Sequence, residues 1–376
     1  MVASEQLVPK GLDGVVVDKT EMSMVDGQRG ILVYRGYNID EIANCSFEEI
    51  CHLFLEGELP NRDQLAGLEK QLSSRREVPE AVLKYLETAP KGQDPMATLR
   101  TAMSMLSGYM PHVDDVSAGP VKESAISLIS QVATIAAAMH RVRQGLKIVP
   151  PHKTLGYSAN FLYMMRGEEP EEVVAKTLNT ALVLHADHGF NASTFSARVV
   201  ISTLTDIVSA VTAAIGSLKG PLHGGANTAV MEMLMEIGEI DNVVPWIEDA
   251  LANKKKIPGF GHRVYKVFDP RAKHLKQMSK EWGERAHNIK WFKMSEMIEE
   301  IMKTKKDLNA NVDFYSASTY YAMGIPAEMF TVIFAVARTL GWSAHVIEQL
   351  ADNRLMRPEA LYTGRTDKKF VPIDAR

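Results

Sequence analysis

After Asn38, apolar residues recur at helical spacing almost without interruption. Between Ile39 and Gly57 they fall at Ile42, Phe47, Ile50, Leu53, Phe54 and Leu55, a helix face that Gly57 and Pro60 bring to a stop. The same pattern, with Pro at a first turn or Gly just past an end, predicts helices over 95–108, 121–145, 158–167, 170–189, 206–220 and 227–238. Further helices are predicted over 244–256, 270–284, 290–305, 313–324 and 326–353. β signal is confined to the start. Gly14-Val-Val-Val-Asp18 and Gly30-Ile-Leu-Val-Tyr34 flank the turn dipeptide Asp26-Gly27 and predict a small hairpin or ribbon. Strands do not alternate with helices, which argues against a doubly wound α/β fold, and no repeat of 20–50 residues shows. The expected class is mostly α with a short N-terminal β ribbon.

Composition narrows the function classes. A length of 376 residues suits two domains, or one large helical body with a sub-domain. Hydrophobic residues at 46% and charged residues at 23% exclude a long disordered chain. The 42 Lys+Arg against 46 Asp+Glu leave a formal charge of -4, which argues against a general nucleic-acid binder. The longest apolar stretch, around Met329 to Ala337, ends at Arg338, short of the ~18 residues of a membrane span. Residues 1–6 carry an acid and no basic-then-apolar pattern, so the expectation is a soluble, cytoplasmic protein without a secretory signal. Cys45 and Cys51 are too few for a disulfide framework or a four-thiolate zinc site, and read as small apolar groups.

Four segments carry candidate chemistry. Lys219-Gly-Pro-Leu-His223-Gly-Gly-Ala-Asn227 places a histidine between glycines just before a helix start. The positive helix end discourages a second charge, so His223 is expected neutral and able to donate one N–H bond; a plain capping role is the other reading. Lys254 to Lys273 holds seven basic residues and one acid, Asp269, interleaved with Gly259, Gly261 and His262. Such a loop suits a polyphosphate group, although a solvated charged face has the same composition. It has no P-loop and no dinucleotide fingerprint. Asn311-Val-Asp313-Phe puts a carboxylate in a first helical turn between apolar neighbours, where the dipole is expected to keep it ionised as a general base or a simple cap. In His185-Ala-Asp187-His188-Gly-Phe-Asn191, two histidines three apart at a helix C-terminus are expected to be protonated and to contact anions. They also look like a metal pair, but no third ligand follows at a recognised spacing.

Taken together, Gly220 to Asn227, Gly259-Phe-Gly-His262-Arg-Val-Tyr-Lys266 with Asp269-Pro-Arg271, Asn311 to Ser318 and His185 to Phe195 resemble the citrate synthase family. The likeness runs from Gly11-Leu-Asp-Gly14 to the Phe370-Val-Pro-Ile tail and fits the shorter bacterial and archaeal form. One departure is the short Gly189-Phe190 link before Asn191, which sets that residue apart from the other matched positions.

The resemblance implies a multihelical homodimer with a large domain (1–222 and 325–376) and a small mobile domain (223–324). It implies condensation of acetyl-CoA with oxaloacetate and hydrolysis of the citryl thioester in the tricarboxylic acid cycle. No cofactor or metal is implied, since the coenzyme A thioester is a substrate. The family's catalytic positions fall on His223, His262 and Asp313. Its oxaloacetate contacts fall on His188, Asn191, Arg271, Arg338 and, from the neighbouring subunit, Arg357. Coenzyme A would lie along Lys256, Ile257, Pro258, Gly259, Phe260 and Gly261, with Lys266 near a phosphate. The chemistry of the residues agrees. A thioester methyl group is a very weak acid, so Asp313 needs His223 to hold the developing oxyanion, and two substrate carboxylates call for arginine forks. A 2-methylcitrate synthase using propionyl-CoA fits the same scaffold, because one methylene is a matter of only ~1–3 kcal/mol. A metal-dependent hydrolase built on His185 and His188 is the remote alternative.

Overall fold

Ser46 and Glu49 divide the first predicted helix. The Ser46 hydroxyl accepts from Glu49 N at 3.1 Å, and the Glu49 carboxylate accepts from Ser46 N at 2.6 Å. This reciprocal cap, worth ~1 kcal/mol, starts Phe47–Glu56 afresh after the short helix Ile39–Ile42. The computed structural model describes residues 8–376. Residues 1–6, in which no leader pattern was read, lie outside that range.

The class is as expected, mostly α with a small antiparallel sheet. Its strands, β1 (Ser23–Asp26), β2 (Ile31–Tyr34) and β3 (Tyr37–Asn38), run in the order β1-β2-β3, and the β1–β2 turn is residues 27–30. The expected strand at Gly14–Asp18 is absent. Val16 there is 89% exposed, and among the described residues the segment has no strand partner, although Asp18 pairs with Arg198 at 3.0 Å, so its β-branched residues have no sheet to join. Three helices were not predicted: Arg62–Ser74, Glu80–Thr88 and Ala192–Ile201. The first buries only Leu68 and Leu72, too thin a stripe to stand out in the periodicity, although Asn61 and Gln64 form a second reciprocal cap.

Two long helices form the centre of the core. Ala118–Arg143 packs against Phe330–Ala351, which also contacts Ala192–Ile201 and Ile207–Leu218. Both central segments are long and apolar enough to cross a membrane, which the length argument from Arg338 did not anticipate. Their apolar windows are buried within the protein itself, 94% in the second case, as core helices are. From Met329 to Val346 every residue is buried, Arg338 among them. Gly341 permits a close approach in this region, because a Cβ there would run into Ala186 O and meet Asp187 Oδ1 at 2.7 Å. Gly341→Ala should therefore destabilise by about 1–3 kcal/mol despite alanine's better helix propensity, measured as a lower urea midpoint.

The helices Ala226–Ile237, Val243–Ala252, Pro270–Arg285, Lys290–Lys306 and Val312–Ala322 pack on one another. They meet the rest of the chain at a few points. Asp40 accepts from His274 at 2.8 Å, and Gly27 O accepts from Lys266 N at 2.8 Å. Gly27 has no room for a side chain there, since a Cβ would run into Val264 O.

Candidate active site

The loop carrying His262 is tied to the start of the Asp313 helix by backbone pairing. Gly261 N donates to Asn309 O at 3.1 Å and Asn311 N to Gly259 O at 3.0 Å, around an isolated bridge between Phe260 and Ala310. Gly259, at φ 79°, lies where a Cβ would strike Phe314 and Val230. The Asn311 side chain completes the link, capping Asp313 N at 3.0 Å and donating to Gly261 O at 3.0 Å. Asp269 adds a third strut by accepting from Val312 N at 3.1 Å while its carboxylate holds Arg271 in a two-point fork at 3.0 and 2.8 Å. His262 and Asp313 thus belong to one rigid unit although fifty residues separate them.

His262 accepts at Nδ1 from the backbone N–H groups of Val264 (3.0 Å) and Tyr265 (3.1 Å). Its ring proton therefore sits on Nε2. Burial, followed by the nearby Arg271 charge, brings its pKa down to about 4, so it is a neutral N–H donor at pH 7. His223 is neutral for similar reasons, with burial and then Arg338 lowering its pKa to about 4. The expected neutrality holds, with burial rather than the helix end as the main cause. His223 Nε2 lies 2.8 Å from Ser193 Oγ, which donates to Asn191 Oδ1 at 2.7 Å and accepts from Trp342 Nε1 at 3.1 Å.

Asp313 departs from expectation. It lies in the first turn of Val312–Ala322, where the dipole favours ionisation, yet burial raises its pKa to about 7, against the pull of Arg271. Its Oδ1 is buried and, among the described residues, without a hydrogen-bond partner. The histidine pair also differs from expectation. His188 is held well below the usual imidazole range by burial, then by Arg271, His262 and Arg338, and His185 is lowered to about 3 by burial. Neither is protonated at pH 7, because desolvation and nearby guanidinium groups outweigh a helix C-terminus. The two rings have different partners. His185 Nδ1 donates to Ala181 O at 2.7 Å, while His188 Nε2 meets the Tyr265 hydroxyl at 3.1 Å. Among the described residues no three His, Cys, Asp or Glu side chains group as metal ligands would.

The cations are buried too. Arg338 is 1% exposed, donates from Nε to His185 O at 2.7 Å and stacks over Phe334. Among the described residues no carboxylate lies within salt-bridge distance of it, and burial lowers its pKa to about 10. A buried guanidinium without an anion is an incomplete pair. The turn bearing His188 is fixed from the β ribbon: Tyr34 OH donates to Asp187 O at 2.9 Å, and Ser23 Oγ donates to the Asp187 carboxylate. His188 and His262 meet edge to face with centroids 5.1 Å apart. Asn191 caps Ala192–Ile201, and both ends of its amide are engaged within the chain, Oδ1 by Ser193 and Thr194 and Nδ2 by Gly189 O and Thr194 Oγ1. Lys256 and Lys266 are exposed on the basic loop, while Ile257, Gly259 and Phe260 are buried and Pro258 and Gly261 are half-buried. Beside them opens a cavity lined by His262, Lys266, Leu308 and Asn309. A larger groove lined by His52, Glu56, Glu58 and Gln64 shares no residue with this cluster and presents carboxylates, the wrong sign for anions. Arg357 is not brought to the cluster by its own chain; it is exposed on the C-terminal segment. Ser193 and Tyr265 were not singled out from the sequence, since a serine and a tyrosine carry no spacing signal of their own.

Residues 11–359 match the family model for the citrate synthase C-terminal domain. The chain belongs to the citrate synthase family. It is 49% identical over 373 residues to a citrate synthase of Haloferax volcanii, covering 98% of both chains. It is 42% identical over 366 residues to a 2-methylcitrate synthase of Mycobacterium tuberculosis, covering 97% of this chain and 92% of that one. Among solved structures, the citrate synthase of Thermoplasma acidophilum, in ternary complex with carboxymethyl coenzyme A and oxaloacetate, superposes with a TM-score of 0.93. That protein is 32% identical, over 98% of this chain and 99% of its own.

Proposed function

We infer that the chain is a citrate synthase, an acyltransferase that condenses acetyl-CoA with oxaloacetate and hydrolyses the resulting thioester to citrate and CoA. The observation that carries the reading is the Asp313 carboxylate, buried, with Oδ1 unpartnered and a pKa of about 7, which shares the charge of Arg271 with a neutral His262 and that of Arg338 with a neutral His223. A base for a very weak carbon acid needs this poise near the working pH. Asp313 takes a proton from the acetyl methyl group. His223 stabilises the enolate oxygen. The enol carbon then attacks the keto carbon of oxaloacetate, and His262 Nε2–H protonates the keto oxygen. Arg271, Arg338 and His188 receive the oxaloacetate carboxylates, and the uncompensated buried charge of Arg338 supports that assignment.

The small domain proposed here is residues 223–324, closing on the large domain (1–222 and 325–376) to exclude water. We place the enzyme in the cytoplasm and in the tricarboxylic acid cycle, as a homodimer in which Arg357 serves the neighbouring site. The free thiols of Cys45 and Cys51 suit a reducing compartment. The test is release of free CoA thiol from acetyl-CoA, which must depend on oxaloacetate and yield citrate by mass spectrometry. Thiol release without oxaloacetate would overturn the reading, and initial rates with propionyl-CoA at limiting concentration decide between citrate and 2-methylcitrate. For coenzyme A, Lys266→Ala should raise KM for acetyl-CoA several-fold and leave oxaloacetate affinity unchanged, with added salt weakening acetyl-CoA binding in parallel. Equal weakening of both substrates would point to a closure defect instead.

A further inference from the structure

Tyr265 packs against both His188 and His262 and touches each through a different atom. Its ring is 4% exposed, with its centroid 5.4 Å from that of His188 and 4.7 Å from that of His262. The phenol oxygen is 3.1 Å from His188 Nε2, and the backbone N–H donates to His262 Nδ1, also at 3.1 Å. Burial pushes the phenol pKa above the usual tyrosine range, so the hydroxyl keeps its proton. Among the described residues His188 Nε2 is that hydroxyl's hydrogen-bond partner, and a buried O–H with one acceptor donates to it. A neutral imidazole that accepts at Nε2 carries its own proton on Nδ1. The residue after Tyr265 is pinned to the β1–β2 turn through Lys266 N and Gly27 O, so the tyrosine is held in place from the ribbon as well.

We propose that Tyr265 is a positioning residue that sets opposite tautomers on two adjacent imidazoles: its hydroxyl leaves His188 with Nδ1–H for an oxaloacetate oxygen, and its backbone leaves His262 with Nε2–H. The ligand in this statement rests on the functional reading above; the tautomers rest on the hydrogen bonds. A side chain of the same shape without the hydroxyl would leave His188 Nε2 unpaired and its proton free to move there, away from the substrate.

Tyr265→Phe keeps the ring and the backbone N–H and removes only the hydroxyl. Imidazole ¹⁵N NMR of the wild type should report Nδ1–H for His188 and Nε2–H for His262. In the variant His188 should shift toward Nε2–H while His262 does not move. The oxaloacetate Kd by calorimetry should rise about tenfold, with KM for oxaloacetate following and kcat changing less, as loss of a contact made equally in ground and transition states requires. A wild-type His188 that carries its proton on Nε2 overturns the proposal without any variant. A folded variant with unchanged Kd and unchanged His188 signals overturns it too. Failure of the wild type to bind oxaloacetate strikes the functional reading instead, and the NMR comparison still decides the role of Tyr265.

Discussion

Asp313→Asn is expected to abolish condensation while leaving the fold and oxaloacetate binding intact. The amide occupies the same space and can still sit in the first turn behind Asn311, but it is no useful base. General-base removal typically costs 10²–10⁴ in rate, so kcat should fall by at least ~10² with the oxaloacetate Kd within twofold by calorimetry. A variant that keeps more than a tenth of the wild-type kcat removes Asp313 from the base role.

The pH dependence separates the base from the histidines. Asp313 acts deprotonated, and its pKa is about 7, so kcat/KM for acetyl-CoA should rise with unit slope up to about pH 7 and then level off. His223 and His262, with pKa values of about 4, are already neutral across that range and add no limb there. The stability sign is opposite to that of a salt-bridged aspartate. A carboxyl whose folded pKa is raised contributes stability below its unfolded pKa, and this is lost as pH rises through the folded value. Relative to the wild type, Asp313→Asn should therefore be more stable at pH 8 than at pH 5, read from urea midpoints at the two values.

Much of this was legible in the sequence because it depends on local pattern. Period-3.6 apolar spacing located most helices, and the glycine-flanked His223, the basic loop and Asn311-Val-Asp313 held the site chemistry in short segments. What escaped depends on tertiary surroundings. Gly14–Asp18 has strand composition but no partner strand. Arg62–Ser74 is a polar surface helix that only its caps announce. The charge states of His185 and His188 invert because the fold buries both rings and brings Arg271 and Arg338, distant in sequence, close to them. The raised pKa of Asp313 has the same origin: a helix start that favours the anion is overruled by burial. Ser193 and Tyr265 became visible only once the ribbon, the His188 turn and the His262 loop were assembled.

An inactive Asp313→Ala homodimer and an inactive Arg357→Ala homodimer should restore activity when their subunits are exchanged. Asn353 and Met356 are held by Ser202, through Asn353 Nδ2 to Ser202 O at 3.1 Å and Met356 N to Ser202 Oγ at 3.0 Å. Beyond them Arg357 is exposed, and Pro358 biases it toward an extended conformation, which suits an arm reaching another chain. A surface arginine at a helix end has the same exposure, so the decision lies in the mixing. If Arg357 acts in trans, each mixed dimer has one site with both defects and one with neither. Random reassociation of equal amounts makes about half the dimers mixed, so about a quarter of wild-type sites return. If Arg357 acts within its own chain, every site keeps one defect and nothing returns. No recovery, with exchange confirmed by differential tagging, would sink the shared site. Recovery near a quarter would place the action of Arg357 in the neighbour's site, where a guanidinium fork suits a substrate carboxylate.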